Sequence, residues 1–162
     1  MIKEISCITI NTDASYSGDH KKGGYAFYIV CNEFRIKSGG PFRVEPRNSE
    51  EAEMMAIGNA IATLLRRAIL PKTKLLVINS DCKNGMTKIQ KPNKIVNVDN
   101  RTLPRKVKEL LNQLSNRVGN PKIDFRHVKA HNGFPDARSW VNDWCDKEAK
   151  KHMKASVKKI KK

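Results

Sequence analysis

Hydrophobic positions in this chain change period several times, and each change marks an element. Residues 5–12, ISCITINT, form a β-branched run expected to be a buried strand. It ends at Asp13, and a polar loop, Tyr16 to Lys22, leads to a second strand, GYAFYIV. A third, FRIKSGGPFRV, follows the Cys31-Asn32-Glu33 turn, and its Gly39-Gly40-Pro41 suggests a bulge or bend. Short connections make these three an antiparallel meander. The period then switches to three and four: Met54, Ile57, Ile61, Leu64, Leu65 and Ala68 form the inward stripe of one helix over 48–69. Asn48 or Ser49 caps it, and Leu70-Pro71 ends it. Residues 73–79, TKLLVIN, are apolar enough for a central strand that ends at Asn79-Ser80-Asp81. A short helix over 82–90, a loop around Pro92 to Asn100 and a helix over 103–117 come next, the last with a Val107, Leu110, Leu111, Leu114 stripe. After the Gly119-Asn120-Pro121 turn, residues 122–128 alternate as a fifth strand. Residues 129–138 form a loop, and a final helix starts near Ser139.

Composition narrows the class. The chain has 162 residues, 39% hydrophobic and 30% charged, which suits one globular domain over residues 1–153, followed by a lysine-rich, flexible tail over 154–162. Apolar runs are too short for a membrane span, and Lys3 and Glu4 break any signal-peptide core. The four cysteines, Cys7, Cys31, Cys82 and Cys145, are far apart with no CxxC pair, so a disulfide framework or zinc site is poorly supported. A reducing, intracellular location is expected, cytoplasmic or associated with nucleus or nucleoid. Net charge is +16, and it is segregated: residues 83–118 carry +7 and residues 147–162 carry +7, leaving +2 for the rest. Two concentrated basic segments are what a phosphate backbone needs. Nothing marks a subunit interface, and a monomer is the default.

The candidate chemistry lies in the acids. Glu53 rides beside the apolar stripe of its helix, next to Ala56, Ile57 and Ala60, where a carboxylate needs a partner unless its head snorkels to water. Asp13 and Asp81 each close a strand, and Asp143 and Asp146 sit on the last helix. If the first and fourth strands are neighbours, Asp13 and Asp81 emerge side by side, and the helices bring Glu53 and Asp146 to the same point. Converging acids repel unless cations lie among them. Hard divalent ions with oxygen ligands are the natural answer, and Mg²⁺ suits a site that also holds phosphate.

Four stretches, in order, resemble type 1 ribonuclease H: NTDAS at 11–15, EEAEMMAI at 50–57, NSD at 79–81 and VKAHNGFPDARSWVNDWCDKEAKK at 128–151. The resemblance covers about residues 6–152. It implies an α/β ribonuclease H-like fold, with a five-stranded mixed sheet flanked by helices. It also implies Asp13, Glu53, Asp81 and Asp146 as ligands of two Mg²⁺ ions, with Mn²⁺ as a substitute. The implied activity is hydrolysis of the RNA strand of an RNA–DNA hybrid, leaving 5′-phosphate and 3′-hydroxyl ends. His131 matches the family's mobile-loop histidine, which aids proton transfer or product release; His20, His127 and His152 carry no role in this reading.

Departures from the family pattern set further expectations. Ala14 stands where Gly is common, the loop SYSGDHKKGG lacks Asn-Pro-Gly, and Cys82 follows Asp81 where Ser is usual. Ser49 replaces an Asn that helps recognise RNA; with Ser15 it is a candidate contact, since a hydroxyl can still bond a 2′-OH. The interval from His131 to Asp146 is longer than usual, which makes Asp143 a rival ligand, although Asn142 to Ala149 keeps the family spacing around Asp146. Some relatives carry a basic, Trp-rich protrusion after the fourth strand. Here the only tryptophans are Trp140 and Trp144, so residues 83–108 read as a reduced basic handle, with Lys83, Lys88, Lys91, Lys94 and Arg105 gripping nucleic acid by charge. Two alternatives stay open: another nuclease of the superfamily, such as a Holliday-junction resolvase or integrase-type core, and a non-catalytic nucleic-acid-binding module on the same fold.

Overall fold

Alternation along the strands sorts side chains onto two faces, and each face is covered by helices. The computed structural model describes residues 6–128 and 137–160. The strands are β1 (Cys7–Ser17), β2 (Lys22–Val30), β3 (Arg35–Pro41), β4 (Leu75–Ser80) and β5 (Lys122–His127). The helices are α1 (Ser49–Leu65), α2 (Lys83–Gln90), α3 (Thr102–Arg117) and α4 (Ala137–Ile160), with two 3-10 turns, Pro92–Lys94 and Val98–Arg101, between α2 and α3. The sheet order is β3-β2-β1-β4-β5. β1–β2 and β2–β3 pair antiparallel, whereas β1–β4 and β4–β5 pair parallel. This is the α/β architecture of five mixed strands and flanking helices expected from the sequence.

On one face, Ile8, Ile10, Phe27, Ile29, Leu76 and Ile78 meet Met54, Ile57, Ile61 and Leu64 of α1, together with α2 and α3. On the other, Ala26 and Tyr28 pack against Cys145 and Ala149 of α4. Asn48 caps α1 by accepting from the Glu51 amide at 2.8 Å. That helix stops at Leu65, four residues before the end its stripe predicts, and Ile69 is 83% exposed. A distant helix covers this end: the Arg117 guanidinium donates to the carbonyls of Leu65 at 2.7 Å and Arg67 at 2.8 Å, satisfying groups left open where the helix stops before Pro71.

The glycines of the meander serve close packing. Gly39 and Gly40 pair regularly with Ala26 and Tyr25, so the strand continues where the sequence suggests a bulge or bend. At Gly24 a Cβ would lie 2.5 Å from both the Ala149 carbonyl and the Met153 amide, so α4 approaches β2 at backbone distance. Gly24→Ala is expected to push α4 outward at a cost of about 3 kcal/mol, read as a fall in melting temperature of roughly 10 °C. An unchanged melting temperature would mean that α4 is free to shift.

The same packing carries α4 beyond the point where the sequence places a flexible tail. The helix continues from Lys154 through Ile160. Its last turns flank β2 and the end of β3, where Ser156, Lys159 and Ile160 share a hollow with Lys22, Pro41 and Phe42. Ser156 and Val157 are half-buried on that flank, while Lys154, Lys158 and Lys159 are exposed. Among the described residues no helix is long and apolar enough to cross a membrane.

Candidate metal centre

Three acids meet where β1 and β4 part. Parallel pairing of β1 with β4 ends at Asn11 opposite Asn79. β1 does not stop there, as the sequence reading expects, but runs on against β2 to Ser17, with Asp13 opposite Ala26. Asp13 is therefore a residue within a strand, projecting from the sheet just past the last β4 rung. β4 ends at Ser80, and Asp81 leads into α2. Both acids lie two residues beyond the facing asparagines, on the same side of their strands by the period of two. Glu53 comes from the first turns of α1, held over β1 by the apolar stripe beside it.

Single carboxylate oxygens of Asp13, Glu53 and Asp81 all lie within 4.8 Å of one another. Asp13 accepts a hydrogen bond from the Ala14 amide at 2.9 Å. Oε2 of Glu53 is buried with no hydrogen-bond partner among the described residues. The charges make the cluster unfavourable as it stands. Burial, then the nearby Asp81 and Asp146 charges, raise the Asp13 carboxyl to about 7. Burial, then Asp13 and Asp81, push Glu53 up to about 10. Asp81, at the exposed rim, is also raised, by partial burial and then by Asp146. A lone buried oxygen facing two further carboxylates, with no sulfur or nitrogen donor in the group, fits a hard divalent cation with oxygen ligands.

The sequence-predicted residues distribute unevenly around this cluster. Asp146 on α4 acts on both Asp13 and Asp81, and its carboxylate accepts from Lys150 at 2.9 Å. Its rival Asp143 pairs with Lys147 at 2.8 Å. Ser49 and Lys83 line an open crevice whose wall includes Glu53 and Asp81. Ser15 sits two residues beyond Asp13, opposite Gly24. Lys88 is tied to Glu50 by an ion pair at the same crevice. Lys91 and Lys94 are exposed beside the first 3-10 turn, and Arg105 is braced by the Asn93 side chain at 2.9 Å. His131 lies outside the described residues.

Two features have no counterpart in the sequence reading. The His127 ring, assigned no role there, closes the crevice from the end of β5, with Nε2 2.9 Å from the Asp81 carbonyl oxygen. Its position two residues after Phe125, in phase with the Ile123, Phe125 alternation, gives no warning, because only the parallel β4–β5 register sets His127 beside Ser80. The second is an aromatic group under a cation. Lys37 of β3 lies 4.9 Å from the Trp140 ring centroid and 5.0 Å from that of Trp144, fastening the first half of α4 to the sheet edge.

Comparison with known proteins places this arrangement. No curated protein matches the sequence. Among solved structures, the N-terminal RNase H domain of a Mycobacterium tuberculosis protein, solved as a fusion with maltose binding protein, superposes with a TM-score of 0.69 at 15% identity, over 96% of this chain and 99% of that one. RNase H1 from the archaeon Halobacterium salinarum gives 0.63 at 12% identity, over 92% and 98%. LC11-RNase H1, solved in complex with an RNA/DNA hybrid, gives 0.64 at 17% identity, over 93% and 99%. At such identities these likenesses speak for the fold. The family itself rests on the sequence: the RNase H family profile matches residues 6–154, and the chain belongs to the RNase H family.

Proposed function

We propose that this protein is an endoribonuclease that hydrolyses the RNA strand of RNA–DNA hybrids with divalent cations held by Asp13, Glu53, Asp81 and Asp146. The observation that carries the reading is the convergence of carboxylate oxygens of Asp13, Glu53 and Asp81, from three different elements, within 4.8 Å of one another. Such a cluster is costly without cations and suited to holding them. Bound there, a pair of Mg²⁺ or Mn²⁺ ions supplies Lewis acidity that activates water and stabilises a leaving oxygen. The chain's own residues do the positioning. Asp13 and Glu53, in the buried part of the cluster, exclude water from one side. Asp81 and Asp146 face the open side, where a phosphate enters. Water adds to phosphorus as the bond to the 3′-oxygen breaks, giving a 5′-phosphate and a 3′-hydroxyl. His131 is proposed to move a proton or release product at that step.

Hybrid recognition is proposed to rest on the crevice and its basic surround. Ser49, at the lip, offers a hydroxyl to a 2′-OH, with Ser15 a second polar contact along β1. Lys83, Lys91, Lys94 and Arg105 lie on the connected α2–α3 segment and serve the phosphate backbone, with Lys88 released from Glu50 as substrate binds. The lysines of α4 add affinity without sequence preference. LC11-RNase H1 was solved with an RNA/DNA hybrid, which supports the same substrate class here.

The test is Mg²⁺-dependent cleavage of matched hybrid, double-stranded RNA, duplex DNA and a four-way junction, with Asp13→Asn beside the wild type. Selective loss of the hybrid's RNA strand, absent in the variant, is expected. Cutting of the junction alone would point to a resolvase, and metal-dependent cutting of none would leave a binding module. Hybrid affinity should fall by about a thousandfold between 50 and 200 mM salt if six or more phosphates are neutralised. A flat salt response in a binding titration would remove the basic segments from the interface.

A further inference from the structure

Beneath the acids lies a buried pair of amides that the reaction does not use. Asn11 and Asn79 are only 5% and 3% exposed. Asn79 Nδ2 donates to Asn11 Oδ1 at 2.9 Å, and Asn11 Nδ2 donates to the Tyr28 carbonyl at 3.0 Å. The main-chain carbonyl of Asn11 accepts from the thiol of Cys145, with Sγ at 3.8 Å. Asn79 Oδ1 is buried without a hydrogen-bond partner among the described residues. A pair chosen for packing alone would be apolar, since a buried orphan oxygen costs stability.

The position of the pair explains what the cost serves. Asn11 and Asn79 form the last rung of the β1–β4 ladder, and each stands two residues before an acid, Asp13 and Asp81. Past that rung the β1–β4 pairing ends, while the charges beyond it repel. The Asn11 side chain thus ties β1 to β4 through Asn79 and to β2 through Tyr28, and the first of these contacts leads to another acid-bearing element.

On the reading of the acids as metal ligands, we propose that Asn11 and Asn79 are positioning residues, a clasp that sets the separation of Asp13 and Asp81 for cation binding. Supporting residues of this kind alter metal affinity by about 10- to 100-fold when removed.

The test is a Mg²⁺ titration of melting temperature, without nucleic acid, on wild type, Asn11→Val/Asn79→Val and Asn79→Ser. The valine pair is apolar, suits a strand and removes the orphan oxygen; the serine opens the clasp without adding bulk. The expected result is a Mg²⁺ midpoint raised at least about tenfold in both variants. The metal-free melting temperature of the valine pair should be equal to or above that of the wild type. In cleavage, the Mg²⁺ requirement should rise while the KM for hybrid holds. Wild-type midpoints in both variants, or a lower metal-free melting temperature with no change in midpoint, would make the clasp purely structural and overturn the proposal. A wild type whose melting temperature ignores Mg²⁺, like an Asp13→Asn control, would instead overturn the metal-site reading on which the proposal rests.

Discussion

Asp13→Asn is expected to lower Mg²⁺-dependent cleavage of hybrid at least about a thousandfold, a loss comparable to that of other groups that act as a unit at a reacting centre. Asp13 lies within reach of both Glu53 and Asp81, and burial, Asp81 and Asp146 together raise it. An amide keeps its shape and removes its charge, so the group loses one of its charged oxygens. Affinity for hybrid in the absence of metal should hold or improve, because a carboxylate facing phosphate is repulsive. The decisive measurement is single-turnover cleavage at saturating enzyme, with hybrid binding measured in parallel in EDTA. Cleavage within tenfold of wild type would remove Asp13 from the metal centre. Equal losses in binding and cleavage would mean that the variant has damaged the fold.

The second large effect concerns stability without metal. Asp13 is raised from 3.8 to about 7 and Glu53 from 4.5 to about 10 in the folded protein. A carboxyl with a raised folded value holds its proton longer in the native state than in the unfolded chain. Between the two values the unfolded state binds fewer protons, so stability falls as pH rises. For Asp13 the loss begins near pH 4 and is complete a little above pH 7; for Glu53 it continues towards pH 10. The Asp13 share is on the order of 4 kcal/mol, worth roughly 10 °C in melting temperature for a chain of this size.

Three outcomes follow from that sign. In EDTA, melting temperature should decline from pH 5 to pH 8. Mg²⁺ should restore it at pH 8, because ions that bind only the folded state stabilise it by mass action. Asp13→Asn should be more stable than wild type in EDTA at pH 8, and should gain less from Mg²⁺. A scanning-calorimetry series over pH and Mg²⁺ measures all three. A wild type that grows more stable from pH 5 to pH 8 in EDTA would contradict the raised carboxyls and the crowding that causes them.

The first prediction asks what the cluster does, and the second what it costs. They are separable: a protein that loses stability with pH and recovers it with Mg²⁺, yet cuts nothing, would keep the metal site and surrender the nuclease.

Much of this was legible along the chain because it is written in short-range periodicity. The run from Ile5, the stripe from Met54 to Leu64 and the apolar TKLLVIN segment are patterns that local burial imposes, and the structure turns them into β1, α1 and β4. Glu53 stood out for the same reason, as a charge beside an apolar stripe. What periodicity cannot register is where a distant element intervenes. The carbonyls left open at the end of α1 are taken by Arg117, from α3. α4 persists past Lys154 with one flank half-buried, although its lysines alone read as a solvated tail. Gly39 reads as part of a bulge or bend but pairs regularly and lies close against the Tyr25 backbone. The site divides the same way. The identities of its acids lie in the sequence, since each closes or rides a recognisable element. Their convergence within 4.8 Å, the shifts this imposes, and the roles of His127, Asn11 and Asn79 came only with tertiary structure. The reason is physical: an asparagine in a strand looks the same whether it faces water or a second asparagine, and only the pairing of β1 with β4, more than sixty residues apart, makes it a clasp.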